Sequence, residues 1–158
     1  MSFENWVKNS WLEVLPSDAA EITRLLAIAD ARLVDYQKAV KGGLSTDVQL
    51  ALAYDAARSS ASAALRAAGY RVVRGNNEHY RTLEALEFSI DPERKMIRAL
   101  DTLRRKRNTG AYDDYGLVAQ GEADLAGNLA VQVRKNVECW IRSHHPDKIS
   151  ERDRRNRN

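Results

Sequence analysis

LSTDVQLALAYDAARSSASAALRAAGYR, residues 44–71, decides the fold. Leu50, Tyr54, Ala57, Ala61, Ala64 and Ala68 recur every three or four positions, the period of an α-helix with one apolar face. Ser45 or Thr46 offers an N-cap oxygen ahead of the first turn, and Gly69 offers the stop. Alanines also fall outside that stripe, on several faces of the helix. A helix so covered by methyl groups lets neighbours approach closely on more than one side, which predicts a place in the middle of a bundle.

Toward the N-terminus, Ile22, Leu26, Ala29, Leu33, Tyr36 and Val40 keep the same period. Ser17 and Asp18 can cap that helix, Glu21 stands where a capping box needs it, and Gly42-Gly43 end it. Phe3, Val7, Trp11 and Val14 also fall at helical spacing, so residues 1–16 are expected to form a short helical arm closed by Pro16. Trp6 and Trp11 on that arm read as packing or interface residues that need cover, more than as platforms for stacking bases.

Toward the C-terminus, Asn76 or Asn77 starts a shorter helix carrying Tyr80, Leu83 and Leu86. Asp91-Pro92-Glu93 signals the next start with a capping carboxylate, a proline in the first turn and an acid near the positive end of the dipole. That helix presents Met96, Ile97, Leu100 and Leu103, and Gly110 with the polar stretch after it is expected to break it. The last helix, near Gln120 to Ser143, carries Ala126, Leu129, Val133, Val137 and Trp140. Nothing alternates like a strand for more than a few residues. The expectation is an all-α protein: an up-and-down bundle of four to five helices over residues 17–143, preceded by the arm and followed by a polar basic tail over 144–158.

Composition fits that picture. The chain has 158 residues, 44% hydrophobic and 30% charged, enough for one core that needs no disulfide or metal. No apolar run approaches the ~20 residues that span a bilayer, and the opening MSFENWVKNSWLEVL is interrupted by polar residues too often for a signal peptide. These features read as a cytoplasmic protein with no membrane partner. The lone cysteine, Cys139, reads as a small buried hydrophobe. The net charge of +3 is confined to residues 142–158, with six basic and three acidic side chains, while the rest holds 19 of each sign. His144 and His145 have no cysteine or acidic ligand at metal spacing, so no metal is expected. No phosphate-binding glycine loop is present to suggest a small-molecule cofactor.

One segment carries a chemical signal: LRRKRNTGAYDDYG, residues 103–116. Extending the stripe from Met96 through Leu100 and Leu103 brings Arg107 into register, so a permanently charged guanidinium falls at the edge of a packing face, where it is costly without a partner. Arg104, Arg105 and Lys106 add charge beside it, and Asn108, Tyr112 and Asp113 follow. Two readings stay open. A cationic helix end facing a polar bend suits a phosphate, whereas a carboxylate partner for Arg107, such as Asp113 or Asp55, would make it a strut; on residue types alone struts are the commoner device. Arg74 and His79, in RGNNEH, also stand with four residues between them, but a histidine entering a short helix is expected to cap or pack.

An Arg-Asn pair near a helix end, three intervening residues, then Tyr112, a polar loop and one last helix resembles the HEPN superfamily (higher eukaryotes and prokaryotes nucleotide-binding). LSTDVQLALAYDAARSSASAALRAAGYR and HYRTLEALEF are similar to the second and third helices of a bacterial branch of it, and the likeness runs from about Leu25 to Trp140. The resemblance implies a metal-independent ribonuclease, or an RNA- or nucleotide-binding protein, working as a homodimer in a toxin–antitoxin, defence or stress setting. It implies catalytic roles for Arg107, Asn108, Tyr112 and Asp113, and nucleic-acid-binding roles for Arg104, Arg105 and Lys106. Family ribonucleases use Arg-x4-6-His, the arginine holding the scissile phosphate while the histidine moves a proton. Here Tyr112 stands at the histidine position, and a phenol with a reference pKa near 10 is a poor base at neutral pH. The resemblance equally implies a non-catalytic alternative: a helical module that binds a nucleotidyltransferase, an antitoxin or another protein.

Overall fold

A computed structural model of the protein describes residues 2–75, 77–112 and 118–149, with the backbone alone for 107–112. The elements run α1 Phe3–Lys8, β1 Leu12–Val14, α2 Ala19–Lys41, α3 Thr46–Ala67, β2 Tyr70–Val72, α4 Glu78–Glu84, α5 Lys95–Tyr112 and α6 Gln120–His144, with 3-10 turns at Ala85–Phe88 and Pro146–Lys148. The architecture is the all-α bundle, with one two-stranded ribbon added.

α3 occupies the centre, packed most extensively against α2 and α6. Ala53, Ala56, Ala57, Ala61, Ala63, Ala64 and Ala67 are all buried along it, with Leu50, Tyr54 and Leu65 between them. The caps fall where the chain signals them: the Asp18 carboxylate accepts from the Glu21 amide at 2.8 Å, and the Ser45 hydroxyl accepts from the Val48 amide at 3.3 Å. α2 packs through Ile22, Leu26, Ala29 and Ala39, whereas Val40 is exposed. α6 crosses α2 closely enough that a side chain at Gly127 would overlap the Tyr36 ring, whose hydroxyl donates to the Ala123 carbonyl at 3.1 Å.

The arm departs from its sequence reading. Only Phe3–Lys8 is helical; Trp11 lies beyond that helix, and Val14 is in β1, whose Leu12, Glu13 and Val14 pair antiparallel with Val72, Arg71 and Tyr70. A four-residue apolar pattern fits a helical period by chance when the strand's partner lies almost sixty residues away. Gly69, at φ +89°, turns the chain straight from the end of α3 into β2, and its carbonyl accepts from the Leu15 amide at 2.9 Å. The tryptophans are covered by their own chain. Trp6 is buried, edge-on to Trp11 at 5.5 Å and to Phe88 at 5.1 Å; Phe3 stacks on Tyr70 at 4.6 Å, and the Arg81 guanidinium lies 3.8 Å from the centre of the Trp11 ring. The need for cover that points to a second protomer is therefore met internally.

Three further expectations are corrected. α5 begins at Lys95, not at Pro92, because residues 91–94 form a turn closed by the Arg94 amide on the Asp91 carbonyl at 2.9 Å. Asp91 still caps the helix, its buried carboxylate accepting from the amides of Lys95 at 2.9 Å and Ile97 at 2.8 Å. The same helix continues through Gly110 to Tyr112, since one glycine costs a helix only ~1 kcal/mol. Cys139 is exposed on α6, whose buried stripe runs through Val133, Val137 and Ile141. The start of the basic tail is also anchored: Ile149 is buried in the main core, and the Lys148 ammonium donates to the Ser17 carbonyl at 2.5 Å.

Arg66 is what binds arm to bundle. It is 7% exposed at the end of α3. Its Nε donates to Glu21 at 2.7 Å, Nη1 to the carbonyls of Leu15 at 2.7 Å and Tyr70 at 3.1 Å, and Nη2 to the Pro16 carbonyl and Glu21 at 3.1 Å each. Its own carbonyl accepts from the Ser17 hydroxyl at 2.6 Å. One planar fork thus satisfies the end of β1, the start of α2 and the start of β2. Arg66→Ala leaves those acceptors short of donors and is expected to cost about 3 kcal/mol, roughly 6–12 °C in melting midpoint. Arg66→Lys should recover only a minor part. The hydrogen bond from Arg66, ahead of their charge attraction, holds the Glu21 carboxyl below its ordinary 4.5. A lowered carboxyl stabilises the fold above its unfolded pKa and loses that contribution as pH falls through the folded value. The gap in melting midpoint between the native chain and Arg66→Ala should therefore narrow below pH 4.5. A calorimetric gap that stays constant from roughly pH 7 to roughly pH 3 would break this link to the ion pair.

Candidate functional site

The cationic run on α5 is less free than its sequence suggests. Arg104 donates to Asp101 through Nε at 3.0 Å and Nη2 at 2.8 Å; Arg105 meets the other oxygen of the same carboxylate at 2.9 Å. Lys106 pairs with Glu122 at the start of α6, and that hydrogen bond is the leading cause of a lowered Glu122 carboxyl. These are (i, i+3) and (i, i+4) pairs along α5 and a bridge to α6, the arrangement of a neutralised strut. Asp55, one of the two carboxylates suited to Arg107 by residue type, lies 3.8 Å from Arg58. The side chains of Arg107, Asn108 and Tyr112 and the whole of Asp113 lie outside the described residues. The backbone places Arg107 one helical turn beyond Arg104 on α5.

Arg104 has a second role. It lines a cleft of about 330 Å³ together with Tyr54 of α3, Gly75 and Asn77 of the loop after β2, and Glu78, His79 and Tyr80 of α4. The volume sits at the lower end of the range for small-ligand sites. Its walls come from residues fifty positions apart in the chain, brought together because α4 and α5 both pack on α3. The Arg104 guanidinium lies 5.3 Å from the centre of the Tyr80 ring. Burial first, and then a hydrogen bond to Glu84, push the Tyr80 phenol above its usual value, so it stays a neutral donor. Asn77 enters α4 in the left-handed region at φ +73° and makes no side-chain cap, a conformation asparagine tolerates better than most residues.

Asn77 stands at the N-cap of α4, so His79 is not its cap. His79 is exposed at the cleft, and Arg58, one turn after Tyr54 on α3, brings Nη1 to 2.9 Å from its Nδ1 and 2.7 Å from its Nε2. One guanidinium nitrogen that close to both ring nitrogens lies against the ring, so the contact brings a cation to the imidazole without fixing which nitrogen carries the proton. One partner of His79 thus lies on α3. Tyr54 and Tyr80, stripe residues by their spacing, also face this cleft. The signal for the site is the chemistry of Arg58 and His79 on two adjoining helices; no local pattern joins them.

At the other end of the molecule, His144 stacks on Trp140 at 5.2 Å, and burial pushes His145 below its ordinary value. Among the described residues, no three His, Cys, Asp or Glu side chains gather as a metal would need, and no helix is long and apolar enough to cross a membrane. No protein-family model matches the chain, and neither the curated proteins nor the solved structures contain a match.

Asp101 neutralises two guanidiniums at the lip of the cleft, so Asp101→Asn should release both. If this cationic run meets RNA, affinity for a single-stranded oligonucleotide should rise on the order of threefold at ~0.1 M salt, by fluorescence anisotropy. Equal or weaker binding would mean that Arg104 and Arg105 serve the fold alone.

Proposed function

We propose that this is an HEPN-like RNA-binding protein that holds phosphates at the cleft between α4 and α5 and along the cationic second half of α5. The observation that carries the reading is the cleft itself: a guanidinium from Arg104, an imidazole from His79 and the Tyr80 ring share about 330 Å³ of open space, with Arg58 bonded to the imidazole. Guanidinium forks match phosphate oxygens in pairs, and aromatic rings accept bases of any sequence. The HEPN likeness supplies the polymer; in that reading Arg107 takes a phosphate one turn beyond Arg104, and Asn108, Tyr112 and Asp113 complete the contact. Tyr112 donates a hydrogen bond in place of the family's histidine, which makes binding the primary activity and cleavage the secondary one.

A second reading has its own support. Arg104, Arg105 and Lys106 are already paired with Asp101 and Glu122, which suits a helical module that docks on a nucleotidyltransferase, an antitoxin or another protein. A homodimer belongs to the HEPN reading and is proposed with it.

Arg107 separates the two. Under the RNA reading, Arg107→Ala weakens binding and flattens the dependence of log affinity on log salt by about 0.7 for each single-strand phosphate that is no longer neutralised. Arg107→Lys rescues part of the affinity because an ammonium lacks the planar fork, and Tyr112→Phe costs less than Arg107→Ala. Unchanged RNA affinity together with a large drop in melting midpoint would overturn the RNA reading and leave Arg107 as a strut.

A further inference from the structure

One residue of the cleft fits a phosphate poorly. Glu78 lines it and is exposed, and among the described residues its carboxylate takes no part in an ion pair or a hydrogen bond. A carboxylate only accepts hydrogen bonds and repels a phosphate, so beside an anion it costs affinity unless donors meet it. In a strand of RNA the bases carry such donors, and they differ in how many they show. Guanine presents two side by side on its Watson–Crick edge, N1–H and N2–H, a spacing that matches the two oxygens of one carboxylate. Adenine and cytosine present one amino group beside an acceptor, and uracil presents one N–H between two carbonyls.

We infer that the cleft is a guanine-selective base site, in which Glu78 accepts from N1–H and N2–H of a base stacked on the Tyr80 ring. The neighbours of Glu78 divide the remaining work. The Tyr80 hydroxyl is held by Glu84, so what this residue offers a ligand is its ring, half-buried in the cleft wall. Asn77 makes no cap bond to α4 with its side chain, which leaves its amide to donate to O6 of the same base. Arg104 spends Nε and Nη2 on Asp101 and keeps Nη1 for the phosphate next to the base. The base then lies toward α4 and its phosphate toward α5, which keeps like charges apart. The cleft of about 330 Å³ suits one nucleotide. The inference rests on the RNA reading and specifies which base that reading selects.

The test uses the full chain and uridine hexanucleotides that carry guanosine, inosine or adenosine at one internal position, with affinities read by fluorescence anisotropy at ~0.1 M salt. The guanosine strand should bind about tenfold more tightly than the adenosine strand. Inosine keeps N1–H and O6 but lacks the N2 amine, so it should lose most of that preference. Removing a negative charge raises affinity for RNA of any sequence, so the informative quantity in Glu78→Gln is the ratio between strands. That ratio should fall to about one, while the melting midpoint stays where it is, because the carboxylate has no partner in the fold. Glu78→Asp should keep part of the preference. Equal affinity for the guanosine and adenosine strands overturns the base assignment and leaves the RNA reading standing. A preference that survives Glu78→Gln, or that inosine shares in full, overturns the pairing with this carboxylate. No saturable binding of any strand overturns both the inference and the RNA reading.

Discussion

Everything in this molecule depends on the close packing around α3. Thirteen of its 22 residues are buried, and most of those are alanine. Small side chains bring helix axes together, so the helices meet through backbone and methyl groups instead of through interlocking large residues. Each such approach contributes little, and the number of them makes the sum large. The constraint is that most of the surface of α3 is taken: α2 and α6 pack on it most extensively, and α4, α5 and β2 also touch it, leaving a half-buried stripe through Ala51, Asp55, Arg58 and Ser62.

A helix packed this closely needs partners for most of the polar groups it buries. Ser60 returns its hydroxyl to the Ala56 carbonyl at 3.0 Å, and Gln49 bonds the Leu44 carbonyl at 3.0 Å and Gln120 of α6 at 2.9 Å. Arg66 solves the same problem at the other end by collecting three carbonyls from two chain segments. The arm is thus held by two different forces: the aromatic cluster around Trp6 gives it apolar burial, and the buried guanidinium fixes its register. Arg94 works similarly between α4 and α5, pairing with Glu84 at 2.9 Å and with Glu87 from a left-handed backbone at φ +60°. Its position joins the two helices that wall the cleft.

The long helices are legible in the sequence because their signals are local. A stripe of period 3.6 with an aspartate or serine cap reads the same whatever surrounds it, as Asp18 and Ser45 illustrate. The illegible features are non-local. β1 is a strand only because Tyr70–Val72 runs beside it, and the true start of α5 depends on Asp91 reaching amides four and six residues on. The candidate site divides the same way. The positive run at Arg104, Arg105 and Lys106 is evident in the chain, but its neutralisation by Asp101 and Glu122 is a matter of side-chain reach. Arg58 becomes a partner of His79 only through the approach of α3.

The order of elements around α3 also bears on how the protein is made. α2 and α3 follow one another across a four-residue turn, so they can pair as soon as both have left the ribosome. α6, which covers another large part of α3, begins roughly fifty residues later, and the bond from Lys148 to Ser17 spans 131 positions. At translation rates of about 5–20 residues per second, the alanine-lined flank stands uncovered for several seconds in each nascent chain. Methyl groups make that surface less adhesive than leucine or phenylalanine would, because attraction between unfinished chains scales with apolar area. The same small side chains that permit tight helix packing in the finished protein thus temper self-association while it is being synthesised.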